Sequence, residues 1–270
     1  MVHMKVTHVM ALLNIIIFII QLASPHVYVA YLQNTGQSAV TFSYLMDSGG
    51  VEIGSGRMTL APGQRGIAVS NVMAGRGDIT FTAEPGGGIE IIQSSTEQAV
   101  DRFFSLSPFM VMHGYVWQVV SCMFLHGSLT HILFNMFSLL VFGAVVEEAL
   151  GKKRYLTLYF ISGIGSSLLY IGLSLNGLTP MLGASGAIFG VVTAYAFMFP
   201  KNLLFIPPGI PVPAWLFVIG FAVISLFSGM LGLGAGIAHW GHLGGIITGF
   251  LFMLRWRRRA ARRSFEFVWE

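Results

Sequence analysis

Long apolar runs, each close to the length that crosses a lipid bilayer, constrain this chain more than any other feature. Only 10% of the 270 residues are charged, 54% are hydrophobic, and the mean hydropathy is +0.74. A helix needs roughly 20 apolar residues to cross the hydrocarbon core. We therefore predict an all-α polytopic membrane protein. Its six transmembrane helices are expected near residues 8–30, 128–149, 153–175, 185–200, 212–230 and 239–256.

The basic residues predict how these helices are oriented. Lys and Arg concentrate at residues 152–154 and 255–263, next to the ends of predicted spans. Six spans place both termini on one side, and the positive-inside rule assigns that side to the cytoplasm. We expect a bacterial cytoplasmic membrane and a basic cytoplasmic tail over residues 257–270. Charge clustered in this way indicates topology, so no nucleic-acid partner is expected.

The first apolar run is predicted to be a retained helix, and the cysteine content excludes disulfide bonds within the chain. Asn14 and Gln21 interrupt the first apolar run and no small-x-small cleavage site follows it, so a retained helix is favoured over a cleaved signal peptide. The chain has one cysteine, Cys122, which excludes an internal disulfide. We assign residues 1–32 to a cytoplasmic N-terminus and the first transmembrane helix.

Residues 33–98 have a different composition from the apolar runs. They are rich in glycine, and four short segments alternate apolar and polar residues as a half-buried strand does. These segments are Val40–Leu45, Ile67–Ser70, Ile79–Thr82 and Ile89–Ile92. The pattern predicts a small β-rich insertion in the first external loop, without a catalytic constellation of its own.

Polar side chains inside predicted spans are costly, so each is a functional hypothesis. His131 and Asn135 fall in the second span, Ser185 in the fourth and His242 in the sixth. Those three spans all run from outside to inside, and each of these residues lies near the outer start of its span. We therefore expect the four side chains to share one layer in the outer half of the bilayer.

The fourth predicted span is too short to cross the bilayer unaided. Its roughly 15 residues cover about 22 Å of a hydrocarbon core about 30 Å thick. Ser185 is therefore predicted to lie below the membrane surface, with the loop at residues 178–184 dipping inward to reach it. Irregular backbone at that depth is tolerated when protein buries it or when it lines a water-filled cavity, and a hydrolase needs such a cavity.

Glycines at helical spacing follow both the serine and the histidine. Gly186 and Gly190 form one GxxxG pair, and Gly245 and Gly249 form another on the same face as His242. Such pairs let helix backbones approach closely, although they are common in membrane helices without any catalytic role. Their registration predicts that the fourth and sixth spans pack together with Ser185 opposite the histidine.

These side chains predict nucleophilic catalysis. A serine within hydrogen-bond reach of a histidine can attack a carbonyl carbon, and the oxyanion that forms needs hydrogen-bond donors. His131 and Asn135 lie four residues apart and could donate to the oxyanion together with the Ser185 N–H. The alternative for His131 and Asn135 is that they form hydrogen bonds between helices. No Asp or Glu occurs from Ala149 to Phe265, so we expect a dyad. A zinc site that includes His239 is disfavoured for the same reason, and no metal or cofactor is expected.

Three motifs in this order resemble the rhomboid intramembrane serine proteases. They are His131-Ile132-Leu133-Phe134-Asn135, Gly183-Ala184-Ser185-Gly186 and His242-Leu243-Gly244-Gly245 followed by Gly249. The resemblance implies a six-transmembrane-helix rhomboid-like bundle, with residues 99–256 as the catalytic core. It also implies a Ser185–His242 dyad, oxyanion contacts from His131 and Asn135, and a nucleophile loop shaped by Gly183.

The resemblance carries further expectations. Phe189 matches the aromatic residue that packs against the catalytic histidine, and residues 228–236 match the flexible cap over the active site. The implied substrates are single-span membrane proteins cut near the outer end of the transmembrane segment, within the lipid bilayer. Trp117-Gln118 stands where the family has Trp-Arg, which puts the stability of that loop in doubt.

Two other functions, a non-catalytic scaffold and a proton channel, have less support in the sequence. A non-catalytic rhomboid-like scaffold that binds membrane proteins would normally lack the serine or the histidine, and both are present. A small channel could use His131, His239 and His242 as a proton path, but nothing beyond the histidines supports it.

Overall fold

The computed structural model of the protein describes the chain except for residues 1–4, 49–50, 73–78, 84–87, 175–179, 207–208, 234–237 and 267–270. It divides into two units. The helical unit comprises residues 1–19 and 104–270, and the strand unit comprises residues 20–103. We describe each unit by itself.

The described part of the chain contains ten α-helices, and all except Ala99–Phe104 lie wholly or mainly in the helical unit. They are α1 (Val6–Leu22), α2 (Ala99–Phe104), α3 (Pro108–Met112), α4 (Gln118–Ser121), α5 (Leu129–Ser138), α6 (Ala144–Leu150), α7 (Lys152–Leu173), α8 (Ser185–Met198), α9 (Ala214–Leu231) and α10 (His239–Glu266). A 3₁₀ turn at Cys122–Phe124 follows α4, and a π-helical stretch at Leu139–Gly143 joins α5 to α6. A short hairpin of β7 (Leu203–Ile206) and β8 (Ile210–Pro213) lies between α8 and α9.

Three helical segments in the described part of the chain are long and apolar enough to cross a membrane. They are Leu129–Leu150, Lys152–Leu173 and Ala214–Leu231. α1 and α8 are apolar but shorter. α10 has 28 residues, about 42 Å at 1.5 Å per residue, and its last part carries the arginine cluster.

The strand unit contains two antiparallel sheets. β1 (His26–Asn34) pairs with both β4 (Arg65–Val72) and β6 (Ile89–Gln98), and β2 (Val40–Ser48) pairs with both β3 (Val51–Leu60) and β5 (Ile79–Ala83). Side chains buried between them form a small core of Ala30, Leu32, Phe42, Leu60 and Ala68. Each of the four strands predicted from alternation overlaps one of these six, whereas β1 and β3 were not predicted.

The first helix ends earlier than the sequence indicated. α1 stops at Leu22, and β1 begins at His26, so the predicted span at 8–30 and the predicted start of the strand-rich region at 33 are both wrong. Pro25 cannot continue a helix hydrogen-bond ladder. Beyond it, Val27 and Val29 are buried on one face of a strand. Hydropathy alone assigns the apolar residues on both sides of Pro25 to one span, although the chain changes there from a helix to a strand.

Two other boundaries also differ from the predictions. α10 continues to Glu266, through most of the segment predicted as a separate tail at 257–270. α9 continues to Leu231, so the first residues of the predicted cap at 228–236 are helical; residues 234–237 lie outside the described part of the chain. The β7–β8 hairpin was not predicted.

Candidate active site

The structure places Ser185 and His242 in direct contact. Ser185 is the first residue of α8, and His242 lies in the first turn of α10. The serine Oγ is 2.9 Å from Nε2 of the histidine ring. Fifty-seven residues separate the two in sequence, so their contact is a product of helix packing.

Glycines allow α8 and α10 to approach closely. A Cβ added at Gly249 would lie 2.6 Å from the carbonyl oxygen of Gly190, and one added at Gly245 would overlap the carbonyl of Gly186. In both cases the added carbon would be closer to the carbonyl oxygen than van der Waals contact allows. The backbone of α10 therefore rests on the backbone of α8, and any larger residue at these two positions would push the helices apart.

Gly186 and Gly190 serve a second interface besides the predicted one with α10. Cβ atoms added at Gly186 and Gly190 would collide with the side chains of Ser166 and Ser162 on α7. The same two glycines also lie against α10, since a Cβ at Gly190 would be 3.3 Å from the carbonyl oxygen of Gly245, so the predicted packing of α8 on α10 is present as well. Because Gly186 and Gly190 have no side chain, α7 can approach α8. Because Gly245 and Gly249 have none, α10 can approach α8.

Two aromatic rings enclose the histidine. The ring of His242 lies 4.9 Å from that of Phe189 and 5.9 Å from that of Phe221, which stack on each other at 4.3 Å between centroids. Phe189 was singled out from the sequence. Phe221 was not, because α9 carries several phenylalanines and no pattern in the sequence distinguishes this one.

The loop before Ser185 adopts a conformation that only glycine accommodates. Gly183 has φ +124°, in the region that L-residues with a side chain rarely occupy. A Cβ there would lie 2.7 Å from Nε2 of His131 and 3.7 Å from the Ser185 Oγ. The His131 ring and the serine hydroxyl therefore flank the same backbone atom.

Backbone hydrogen bonds hold this loop in place. The N–H of Gly183 donates to the carbonyl of Cys122 at 2.9 Å, and Met181 exchanges two hydrogen bonds of 2.8 Å with Leu106. The loop at residues 178–184 was predicted to dip inward to the serine, and its first two residues, 178–179, lie outside the described part of the chain. In the described part of this loop, backbone N–H and C=O groups that have no helical partner form hydrogen bonds with neighbouring segments instead.

His131 and Asn135 present hydrogen-bond donors. The N–H of Gly127 points at Nδ1 of His131 at 3.4 Å, so this nitrogen accepts and the proton of a neutral ring resides on Nε2. Asn135, one turn further along α5, is 6% exposed, and its Nδ2 has no hydrogen-bond partner among the described residues. A buried amide donor without an acceptor is costly, which is consistent with an anion binding there during a reaction.

Among the described residues, no carboxylate bonds the other nitrogen of His242. Nδ1 makes no hydrogen bond to any described residue, and no group of three or more His, Cys, Asp or Glu side chains in the described chain is arranged to hold a metal ion. His239 lies near His242, with ring centroids 6.5 Å apart. The described geometry is that of a serine–histidine pair.

Gln118, which stands where the family has arginine, is fully buried. Its Oε1 accepts a hydrogen bond of 3.1 Å from the N–H of Ser107, whose own Oγ caps the start of α3. The glutamine thus ties α4 to α3 without a charge. This neutral contact lies in the loop whose stability the sequence had put in doubt.

Comparison with known proteins assigns the chain to one family. The Rhomboid domain matches residues 113–259, more than half of the chain. The chain is similar to RHOMBOID-like protein 5 of Arabidopsis thaliana, with 34% identity over 147 residues, 54% of this chain and 47% of that protein. It is also similar to two proteins of Bacillus subtilis. For YdcA the identity is 33% over 57% of this chain and 73% of that protein, and for Rhomboid protease GluP it is 30% over 63% and 31%.

The chain belongs to the rhomboid family and is an integral membrane protein. It spans less than half the length of the Arabidopsis relatives that it matches. Because similar proteins come from a plant as well as a bacterium, family membership does not select the bacterial cytoplasmic membrane that the sequence led us to expect.

Proposed function

We propose that this protein is an intramembrane serine endopeptidase in which Ser185 is the nucleophile and His242 is the general base. The observation that carries the proposal is the 2.9 Å separation of the serine Oγ and the histidine Nε2. That distance lies within the reach a base needs to take the serine proton. Family membership and the similarity to Rhomboid protease GluP support the same chemistry.

The reaction follows from these two side chains. As the Ser185 oxygen attacks the peptide carbonyl carbon, its proton moves to Nε2 of His242. The tetrahedral intermediate then collapses, the imidazolium gives that proton to the departing amine, and an acyl-enzyme remains. Water, deprotonated by the same nitrogen, releases the acyl group and restores the serine hydroxyl. Phe189 and Phe221 hold the imidazole in place because they pack beside it.

Hydrogen-bond donors on α5 and α8 stabilise the negative oxygen of the intermediate. Nε2–H of His131, Nδ2 of Asn135 and the backbone N–H of Ser185 at the start of a helix all suit an oxyanion. Gly183 keeps the first of these donors close to the serine, since a side chain at that position would displace the His131 ring. Removing one such donor costs about 10²–10³ in kcat, so Asn135→Ala should lose activity by that factor.

The substrate class follows from the membrane setting. We propose six transmembrane helices, α1, α5 with α6, α7, α8, α9 and α10, with the catalytic layer in the outer half of the bilayer. Both termini are then cytoplasmic and the strand unit is external and accessory to a catalytic core at residues 99–256. The substrates are single-span membrane proteins cut within or near the transmembrane segment.

Covalent labelling tests the nucleophile directly. A fluorophosphonate probe should label the wild-type protein in liposomes, and neither Ser185→Ala nor His242→Ala should be labelled or cleave a model single-span substrate. Ser174→Ala removes a serine at the end of α7, outside the site, and should label and cleave as the wild type does. If the folded wild-type protein neither labels nor cleaves but still binds the substrate, the non-catalytic scaffold is the correct function.

A further inference from the structure

The β7–β8 hairpin is held firmly between two membrane helices. It follows the end of α8 and leads into α9, and the first N–H groups of α9 donate to carbonyl groups just before β7. Ala214 N–H bonds the carbonyl of Asn202 at 2.8 Å, and Trp215 N–H bonds that of Pro200 at 3.3 Å. The side-chain amide of Asn202 donates in turn to the Tyr195 hydroxyl at 3.0 Å. The base of the hairpin therefore has a fixed position at the ends of α8 and α9.

The hairpin exposes apolar side chains and carries no charge. Phe205 is 72% exposed, and Leu203 and Ile210 are also exposed. The sequence between Asn202 and Trp215 contains no charged residue. A segment that faced water would normally carry polar side chains, and a contiguous exposed apolar surface marks contact with a partner or a membrane.

Prolines remove the backbone donors that would be most costly in an apolar medium. In the antiparallel register, Leu204 pairs with Val212 and Phe205 pairs with Pro211. A proline cannot donate to the partner strand, so Pro211 and Pro213 occupy positions where the N–H of a strand would point outward. The outer edge of β8 thus presents no N–H at these two positions. An unpaired N–H is expensive in hydrocarbon, whereas in water it would cost little.

We propose that the β7–β8 hairpin inserts its exposed apolar face into the lipid interface on the side of the membrane where α8 ends and α9 begins. Lipid is the occupant that the position indicates, because two of the membrane helices proposed above flank the hairpin and α9 exposes Trp215 and Leu216 directly after it. Trp215 and Lys201 flank the hairpin, and these residue types mark the boundary between headgroups and acyl chains.

Selective labelling of a single introduced cysteine tests this placement. The one native cysteine, Cys122, is buried, so a thiol introduced at an exposed position is the reactive one. Phe205→Cys is labelled with an environment-sensitive fluorophore in the full chain reconstituted into phosphatidylcholine–phosphatidylglycerol liposomes. Ile219→Cys on the exposed side of α9 is the lipid control, and Ala61→Cys in the turn between β3 and β4 is the water control.

Insertion predicts that the label at Phe205 emits at shorter wavelength than the label at Ala61. Its quenching by aqueous iodide should be severalfold weaker, and brominated lipids should quench it as they quench the label at Ile219. Leu203→Cys repeats the measurement if Phe205→Cys does not fold. Iodide quenching equal to that at Ala61 overturns the proposal. So does protection from iodide that disappears on dilution of the protein in lipid, since a second copy would then cover the hairpin.

Discussion

Replacing Gly249 by alanine should separate the two catalytic side chains without touching either of them. A Cβ there would lie 2.6 Å from the Gly190 oxygen, and ordinary contact begins at 3.4 Å. The helices must then part by about 0.8 Å at this point. If α10 moves as a rigid body, the 2.9 Å between Ser185 and His242 grows by about the same amount, beyond the roughly 3.2 Å that proton transfer requires.

The expected loss is about 100-fold in kcat/KM, the usual effect of a misplacement of about 1 Å between reacting groups. The assay is cleavage of a model single-span substrate in liposomes, together with the rate of fluorophosphonate labelling per folded molecule. Gly172→Ala is the matched control, because a Cβ at that position on α7 meets no atom within 4 Å. Alanine favours the helix by up to about 1 kcal/mol at both sites, so propensity alone would make both variants more stable.

Wild-type cleavage and labelling by folded Gly249→Ala protein would refute the argument that glycine contacts set the distance within the dyad. Thermal unfolding of the same sample separates this result from misfolding. A variant that loses activity while its unfolding temperature stays close to that of the wild type supports the geometric cause.

Three further predictions concern the base, the loop and the first helix. Activity should fall on acidification because protonated His242 cannot accept the serine proton; a kcat/KM profile that stays flat over the whole acidic range in which the protein remains folded would contradict its role. Gly183→Ala should reduce cleavage about 100-fold or more, since the added Cβ would meet His131 at 2.7 Å. Glu147→Ala should lower the free energy of unfolding by about 3 kcal/mol, because the carboxylate accepts three hydrogen bonds from the start of α1.

The last two variants have neighbours that serve as controls. Gly151→Ala also places alanine at a positive φ, +78°, but in open space, so it should retain activity if contact with His131 is the cause. Glu148→Gln breaks an exposed ion pair with Lys5 and should change stability by about 1 kcal/mol or less. Equal unfolding temperatures for the Glu147 and Glu148 variants would show that the buried carboxylate does not anchor α1.

Much of the candidate site could be read from the sequence because it depends on local spacing. Residues four apart share a helix face, so His131 and Asn135 had to lie together, and Gly245 and Gly249 had to form one smooth patch. The cost of polar groups within a membrane singled out Ser185 and His242. Hydropathy likewise located the apolar helices, because long runs without charge are visible in the chain itself.

Other features depend on which surfaces meet, and the sequence does not specify that. It could not show that Gly186 and Gly190 face α7, since helix periodicity gives the face of a residue but not its neighbour. Phe221 reaches His242 only through the packing of α9. The strand at β1 escaped notice because hydropathy does not distinguish a helix from a strand when both are apolar.

The sequence by itself determined the chemistry available to this protein: a serine, a histidine, two donors on one helix face and glycines at the intervals that permit close packing. Tertiary structure decided the 2.9 Å contact of Ser185 with His242, the contact of the Gly127 N–H with Nδ1 of His131 and the exposed hairpin at the ends of α8 and α9. The physical reason is range. Helical periodicity and membrane partitioning act over a few residues, whereas a hydrogen bond across 57 positions exists only when the helices that carry its partners are packed.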